Sequence, residues 1–317
     1  MPNIETYSQD PNDTLRVLVA WRPDGRGSES LEFAAWLGRT TQIQVRVATT
    51  FLRPWPATSL GKLGGKYRKW IEREAAACET KVRKALKSVG LPEECWDEQI
   101  SVFSDGPSEA VLLTQAANDF NADLMLLGSS STAPKGRFLA GSTADTLLHS
   151  SPQLLGLVPR SPKLSKRGVT RINFAHLGEN PEENSSLFFA ADLASRWDIP
   201  LRILAFSPGG LTSSTASDQL DLSTHLTVEW REHSLAMLDR SRDAVMDHWP
   251  ELSVETDIGS GSGWAGAVDA LKWKKGDLLC LGSTPPGPIE RVFLGSTATE
   301  VLSHVQVPVI VHPVRKH

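Results

Sequence analysis

The chain repeats itself at about half its own length, and this limits its fold more than any other feature. Asp123-Leu-Met-Leu-Leu-Gly-Ser returns as Asp277-Leu-Leu-Cys-Leu-Gly-Ser, an offset of 154 residues. Carried forward without gaps, that offset sets Gly128 on Gly282 and Arg137 on Arg291. It also sets Gly141-Ser142-Thr143-Ala144 on Gly295-Ser296-Thr297-Ala298, and Leu148 on Leu302. The N-terminal parts repeat with small shifts. Arg16-Val-Leu-Val-Ala20 matches Arg171-Ile-Asn-Phe-Ala175, and Ser30-Leu-Glu-Phe-Ala-Ala-Trp-Leu37 matches Ser186-Leu-Phe-Phe-Ala-Ala-Asp-Leu193. The 317 residues therefore read as one domain written twice. The boundaries are a polar tail over 1–14, a first domain over 15–160, a linker over 161–169 and a second domain over 170–317. The linker is short, polar and basic, so the halves are expected to pack closely.

Within each half, strand and helix patterns alternate. The first half reads as strands at 15–21, 42–51, 100–103, 124–127 and 153–158, separated by helical stretches at 28–39, 62–89, 107–118 and 142–149. Ser28 and Ser30 are both candidate N-caps of the first helix. The second half places strands near 171–177, 201–206, 252–257, 277–281 and 307–312. Apolar runs alternating with helices imply an α/β fold, each half a doubly wound parallel sheet with helices on both faces. Such sheets take ligands at the carboxyl ends of their strands.

The loop after the fourth strand is the most informative segment. It runs from Gly128 through Ser131 and Arg137 to Gly141-Ser142-Thr143, and from Gly282 through Arg291 to Gly295-Ser296-Thr297. A glycine directly after a buried strand lets a ligand approach the backbone. A Gly-Ser opening a short helix offers N–H groups and a hydroxyl to an anion, with Arg137 and Arg291 as sources of positive charge. The same residues also serve as a plain turn with a Ser or Thr cap, and the chemistry alone leaves both readings open.

These residues give each half a resemblance to the universal stress protein family of the UspA type. The family carries Gly-x2-Gly-x9-Gly-(Ser/Thr) after its fourth strand, which Gly128 and Gly141-Ser142 match at both ends, as do Gly282 and Gly295-Ser296. Asp105-Gly-Pro-Ser-Glu-Ala110 resembles its turn before the third helix, and Val307-Pro-Val-Ile-Val311 its last strand. The resemblance implies a five-stranded parallel sheet in the order 3-2-1-4-5 and dimeric contact through the fifth strands. It also implies an adenine-nucleotide (ATP) site in some members. Two departures bear on that site. The middle glycine is Ser131 in one half and Pro285 in the other, and proline removes a donor. The family's Asp after the first strand is replaced by Arg22 in one half and by Leu177 or Gly178 in the other, with Asp24 and Glu179 close by. The first half is thus the better-preserved site, with Ala20, Trp21 and Arg22 at the end of its first strand. Trp21 either stacks on a base or blocks the pocket, and Arg22 faces a phosphate rather than a ribose.

Other chemistry is excluded or reads as structural. Gly261-Ser-Gly-Trp-Ala-Gly266 fits GxGxxG but follows the third strand, so it reads as a strand-to-helix turn. There is no GxxxxGK[ST] loop, HExxH, GxSxG or zinc-spaced Cys/His set. Cys280 lies inside a strand and reads as core. With 33 basic against 37 acidic residues and a net charge of −4, nucleic acid is not an expected partner. Three cysteines form no disulfide framework, no apolar run reaches membrane-spanning length, and the polar start carries no signal-peptide pattern. A cytoplasmic, non-enzymatic binding module is expected, with an adenine nucleotide as partner and no metal. The alternative is a nucleotide-free dimerisation or interaction scaffold of the same fold. The apolar edges at 153–158 and 307–311 are expected to meet each other within the chain or to meet their counterparts in a homo-oligomer.

Overall fold

The computed structural model describes residues 14–23, 27–53, 65–177, 183–209, 220–283 and 296–313. The first half contains β1 (Leu15–Ala20), α1 (Glu29–Leu37), β2 (Ile43–Leu52), α2 (Gly65–Ser88), β3 (Trp96–Gly106), α3 (Glu109–Phe120), β4 (Leu124–Gly128), α4 (Ser142–Leu148) and β5 (Leu154–Val158). The second contains β6 (Arg171–Ala175), α5 (Glu183–Arg196), β7 (Leu201–Gly209), α6 (Leu220–His248), β8 (Val254–Ser262), α7 (Gly263–Asp269), β9 (Asp277–Gly282), α8 (Ser296–His304) and β10 (Val309–His312). The strands form one ten-stranded sheet in the order β3-β2-β1-β4-β5-β10-β9-β6-β7-β8. Each half is parallel throughout and runs 3-2-1-4-5 in its own count. The halves join where β10 pairs antiparallel with β5, Val309 opposite Leu157, Ile310 opposite Gly156 and Val311 opposite Leu155.

The sequence explains this layering. Strands β4, β5 and β9 are near-continuous apolar runs, and these three and β6 are buried almost throughout, as parallel strands covered on both faces must be. Two cores result, one on each face, and each runs across both halves. One gathers Phe33, Trp36, Val82, Leu86, Leu187 and Leu238 from α1, α2, α5 and α6. The other gathers Leu113, Phe120, Leu147, Val268, Val301 and Leu302 from α3, α4, α7 and α8. Helix α1 is buried nearly along its whole length, whereas α2 buries only Cys78, Val82 and Leu86. That four-residue spacing is one narrow helical stripe, which leaves the Lys, Arg and Glu of α2 in water. Ser28 holds the N-cap position of α1, but its hydroxyl donates to Glu32 and caps no backbone group.

Some boundaries differ from the sequence pattern. Strand β3 begins at Trp96, earlier than its apolar stretch, because a sheet edge tolerates the exposed Glu98 and Gln99. β10 begins at Val309, one residue past Pro308, which has no N–H for the ladder but accepts from the Leu279 N–H at 3.0 Å. The 161–169 connection is pinned to both halves. Ser165 N donates to Lys275 O at 2.9 Å, and Val169 N donates to Thr40 Oγ1 at 2.7 Å.

A second repeated feature lies at the opposite end of the strands from Gly128 and Gly282. In the first half, Arg16 N donates to Asp123 Oδ2 at 2.8 Å, and the Arg16 and Arg46 guanidinium groups lie over the Phe120 ring. In the second, Arg171 grips Asp277 through two hydrogen bonds of 2.9 and 2.8 Å, and Arg202 lies over Trp273. Asp277 is fully buried. Burial, with the Arg171 charge alongside, pulls the Arg202 guanidinium below its usual range.

The joint between the halves has no room for a larger residue. A Cβ on Gly156 would lie 2.3 Å from Leu126 Cδ2 and 3.0 Å from Phe33 Cε1. Gly156→Ala is therefore expected to lower stability by about 1–3 kcal/mol, the usual range for overpacking, read as a lower urea midpoint at unchanged slope.

Candidate nucleotide-binding site

A cavity of about 160 Å³ opens at the carboxyl ends of the first-half strands. Ala20 of β1 and the Trp21 and Arg22 that follow it line its wall, and α1 supplies Glu29 and Ser30. Ala48 and Thr50 come from β2, Glu109 and Leu113 from α3, Gly128 and Ser129 from the end of β4, and Thr143 from α4. This crevice lies where β1 separates its neighbours β2 and β4, the point at which strand order reverses and ligands bind in such sheets.

The backbone of the cavity is held locally. Trp21 Nε1 donates to Gly27 O at 3.1 Å, and Thr49 Oγ1 donates to Trp21 O at 2.9 Å. The indole thus forms a wall, packed against the core that α1 and α2 build. Ser30 Oγ donates to Ala20 O at 3.0 Å and satisfies the end of β1. Gly128 has a particular place here. Its φ is not positive, and among the described residues no atom beyond its chain neighbours lies within 4 Å of where its Cβ would stand. Neither backbone geometry nor packing requires glycine there, and the space above it belongs to the cavity.

The charged centre of the site is Glu109, the first residue of α3. Its carboxylate accepts from Arg22 Nη2 at 2.8 Å, from Thr50 Oγ1 at 2.9 Å and from the Thr143 hydroxyl. Arg22 is 52% exposed and Glu109 17%. Burial opposes the charge on Glu109, but the hydrogen bonds from Thr143, Arg22 and Thr50 and the Arg22 charge outweigh it, and the carboxyl is held below the usual carboxylate range. Sequence reasoning passed over Glu109. Its only signal was the acidic residue in the Asp105–Ala110 turn, which motif spacing does not connect to Arg22.

The predicted site residues divide. Ala20, Trp21, Arg22, Gly128 and Thr143 line the cavity. Ser131, Gly141 and Ser142 do not, although Gly141 also has open space over it and sits at the N-cap of α4. Arg137 is displaced furthest from its expected role. Its guanidinium donates to the His304 carbonyl and approaches Asp269 at 3.4 Å, both in the second half. The loop carries it there because Ser130 N donates to Leu139 O, Gly136 N to Arg160 O, and Phe138 is buried in the core. Arg137 is a joint between halves and supplies no charge to the cavity.

In the second half Gly282 ends β9, but an added Cβ there would lie 2.8 Å from Ser186 Oγ, which hydrogen-bonds His312 Nδ1 at 3.0 Å. Strand register equates Arg22, Thr50 and Glu109 with Leu177, Phe206 and Trp264. All three of the latter are apolar and pack on the adjoining core, with Phe206 and Trp264 edge to face at 6.3 Å. Thr297 lies in the first turn of α8 and Ser296 opens it. Arg291, Gly295, Pro285, Gly178, Glu179 and Asp24 lie outside the described residues. The GxGxxG segment closes β8 onto α7. A Cβ on Gly261 would meet the Gly266 backbone at 2.2 Å, so these glycines serve close strand–helix packing. Cys280 is buried in the core, and burial pushes its thiol up. Among the described residues no group of three or more His, Cys, Asp or Glu is arranged to hold a metal, and no helix is long and apolar enough to cross a membrane.

Two predictions separate the halves. Gly128→Ala is expected to leave stability within about 0.5 kcal/mol of the parent. Gly282→Ala should lower it by about 1–3 kcal/mol through the clash with Ser186, and urea unfolding of both variants checks the difference. The depressed Glu109 carboxyl adds stability that is fully present above the usual carboxylate range and is lost as pH falls through its folded value. Glu109→Gln should therefore show a shallower loss of stability than the parent between about pH 6 and 3, measured as urea midpoints across that range.

The comparisons agree with this architecture. The description "Usp: Universal stress protein family" matches residues 14–158 and again 170–313. A universal stress protein of Mycobacterium tuberculosis is 29% identical over 302 residues, covering 94% of this chain and 100% of that protein. A counterpart from Mycobacterium bovis matches to the same extent. Among solved structures, a universal stress protein from Archaeoglobus fulgidus superposes with a TM-score of 0.60 at 16% identity, covering 94% of this chain and 98% of its own. A functionally unknown protein from Pseudomonas aeruginosa gives 0.52 at 14% identity, covering 95% and 93%. With the family matched twice over nearly the whole length, the chain belongs to the universal stress protein family as a tandem of two such domains.

Proposed function

We propose that this tandem protein is a nucleotide-binding regulatory module, not an enzyme, and that its first half carries the site. The observation that supports this most is the open space over Gly128, a glycine the fold itself does not need, inside a cavity at the strand-order reversal. An adenine nucleotide is the ligand proposed, with its base or ribose against Trp21, Ala48 and Leu127 and its phosphates toward Gly128, Ser129 and Thr143. The second half acts as a scaffold. Its Gly282 faces Ser186, and Leu177, Phe206 and Trp264 replace the polar groups of the first-half mouth. Ligand occupancy in the first half would bias one arrangement of the chain over another, and with it the choice of partner.

The test is the nucleotide content of freshly purified protein, released by denaturation and read by chromatography, followed by ATP titration. ATP should be carried or taken up by the parent. Gly128→Val fills the space above the strand end and should weaken uptake at least about tenfold, a loss of about 1.4 kcal/mol, with the unfolding midpoint unchanged. Folded parent protein that carries no nucleotide and takes up none at ATP concentrations on the order of millimolar overturns the reading in favour of a nucleotide-free scaffold.

A further inference from the structure

Three elements that meet only in the folded chain aim hydrogen-bond donors at one carboxylate. Arg22 follows β1, Thr50 lies on β2 and Thr143 on α4, and each donates to Glu109. A guanidinium with two hydroxyls is a donor set suited to any oxyanion, a phosphoryl group as well as a carboxylate. Glu109 and its donors line the same cavity as Gly128. The second half replaces Arg22, Thr50 and Glu109 together, by Leu177, Phe206 and Trp264. Cation and acid vanish as a unit, as expected of groups that serve one another.

We infer that the Glu109 carboxylate is an internal ligand of the oxyanion site formed by Arg22, Thr50 and Thr143, and that a phosphate-bearing ligand binds by displacing it. This rests on the nucleotide reading and names where one phosphate goes. Among the described residues the charged side chains on the cavity wall are Arg22, Glu29 and Glu109, and the Glu109 carboxylate already occupies the donors that an incoming anion would need. On its Arg22 side the bridge is half open to water, where such a contact is cheap to break. The arriving phosphate accepts the Arg22 guanidinium in a fork that a single Nη2 contact leaves unfilled. The closed form keeps affinity low for anything that cannot supply a better oxyanion than the one already there. Arg22 is the residue that turns the site from ribose hydroxyls toward a phosphate.

Calorimetric titration of the full chain with ATP, and separately with pyrophosphate, tests this. Glu109→Gln should bind both at least about tenfold more tightly than the parent. Glu29→Gln removes the same charge without freeing the donors, and should gain less than about threefold. Adding Arg22→Gln to Glu109→Gln should abolish the gain. In the parent, the Arg22 side-chain N–H signal in an NMR spectrum should shift on addition of pyrophosphate, a measurement independent of how any variant folds. Equal or weaker binding by Glu109→Gln, an equal gain from Glu29→Gln, or an unmoved Arg22 signal overturns the inference. Parent and Glu109→Gln binding ATP alike leaves the nucleotide reading standing and removes this one. No binding by any folded form removes both.

Discussion

The antiparallel pairing of β5 with β10 is the constraint on which the rest depends. Each half ends in a short apolar strand whose outer edge would otherwise present unpaired N–H and C=O groups beside Leu155, Leu157, Val309 and Val311, all buried. Joining these edges removes that liability and lets the two cores run uninterrupted across the molecule. The outer edges that remain, β3 and β8, carry the exposed acids Glu98, Glu255 and Asp257, which discourages further strand addition. Because the join is antiparallel and each half is parallel, the carboxyl ends of the two sets of strands face opposite ways. Gly128 and Gly282, at the ends of β4 and β9, therefore lie at opposite ends of the sheet. Arg137, carried by the loop of the first half, meets the second half at the end of α8 and at Asp269 of α7, beside the amino ends of its strands.

Much of this was legible because it is local or periodic. The duplicated Asp-Leu-x-x-Leu-Gly-Ser stretches, the apolar strand runs and the alternation with helices need no tertiary information, and they lead directly to two parallel sheets. The glycine loop is legible as a possibility only. Gly128 and Gly282 stand in matching sequence, each with a serine on the helix that follows the first strand. Ser30 donates to the Ala20 carbonyl, while Ser186 leans on Gly282 and His312. One glycine therefore faces open space and the other a neighbour. The local difference, Ser131 against Pro285, does not reveal this contrast, because it comes from side chains more than 90 residues away.

Long-range charge pairing was illegible for the same reason. Arg22 and Glu109 are 87 residues apart, and Arg137 and Asp269 are 132 apart. The topology decides which of many arginines and acids become partners. Arg16 and Arg171 both lie at the start of a first strand, beside the aspartates at the start of the fourth, Asp123 and Asp277, yet only the second pair is deeply buried. A buried pair of this kind is retained at a desolvation cost and loses much more if one member is removed.

The two mouths differ in a way that energetics can interpret. Burying Phe206 and packing Trp264 and Leu177 against the core stabilises the second half, by about 1.5–3 kcal/mol for each large apolar side chain fully buried. The first half forgoes that gain. It keeps Arg22, Thr50, Glu109 and Thr143 at a cavity lip, where desolvation offsets most of what their hydrogen bonds return. A fold selected for stability alone would place apolar residues at these positions in both halves, since the second half shows that the scaffold accepts them. Duplication supplies the means, because one copy can take apolar residues for stability while the other stays polar. The polar lip of the first half is thus a departure from the stable solution that the same chain displays, and such departures concentrate where a ligand is handled.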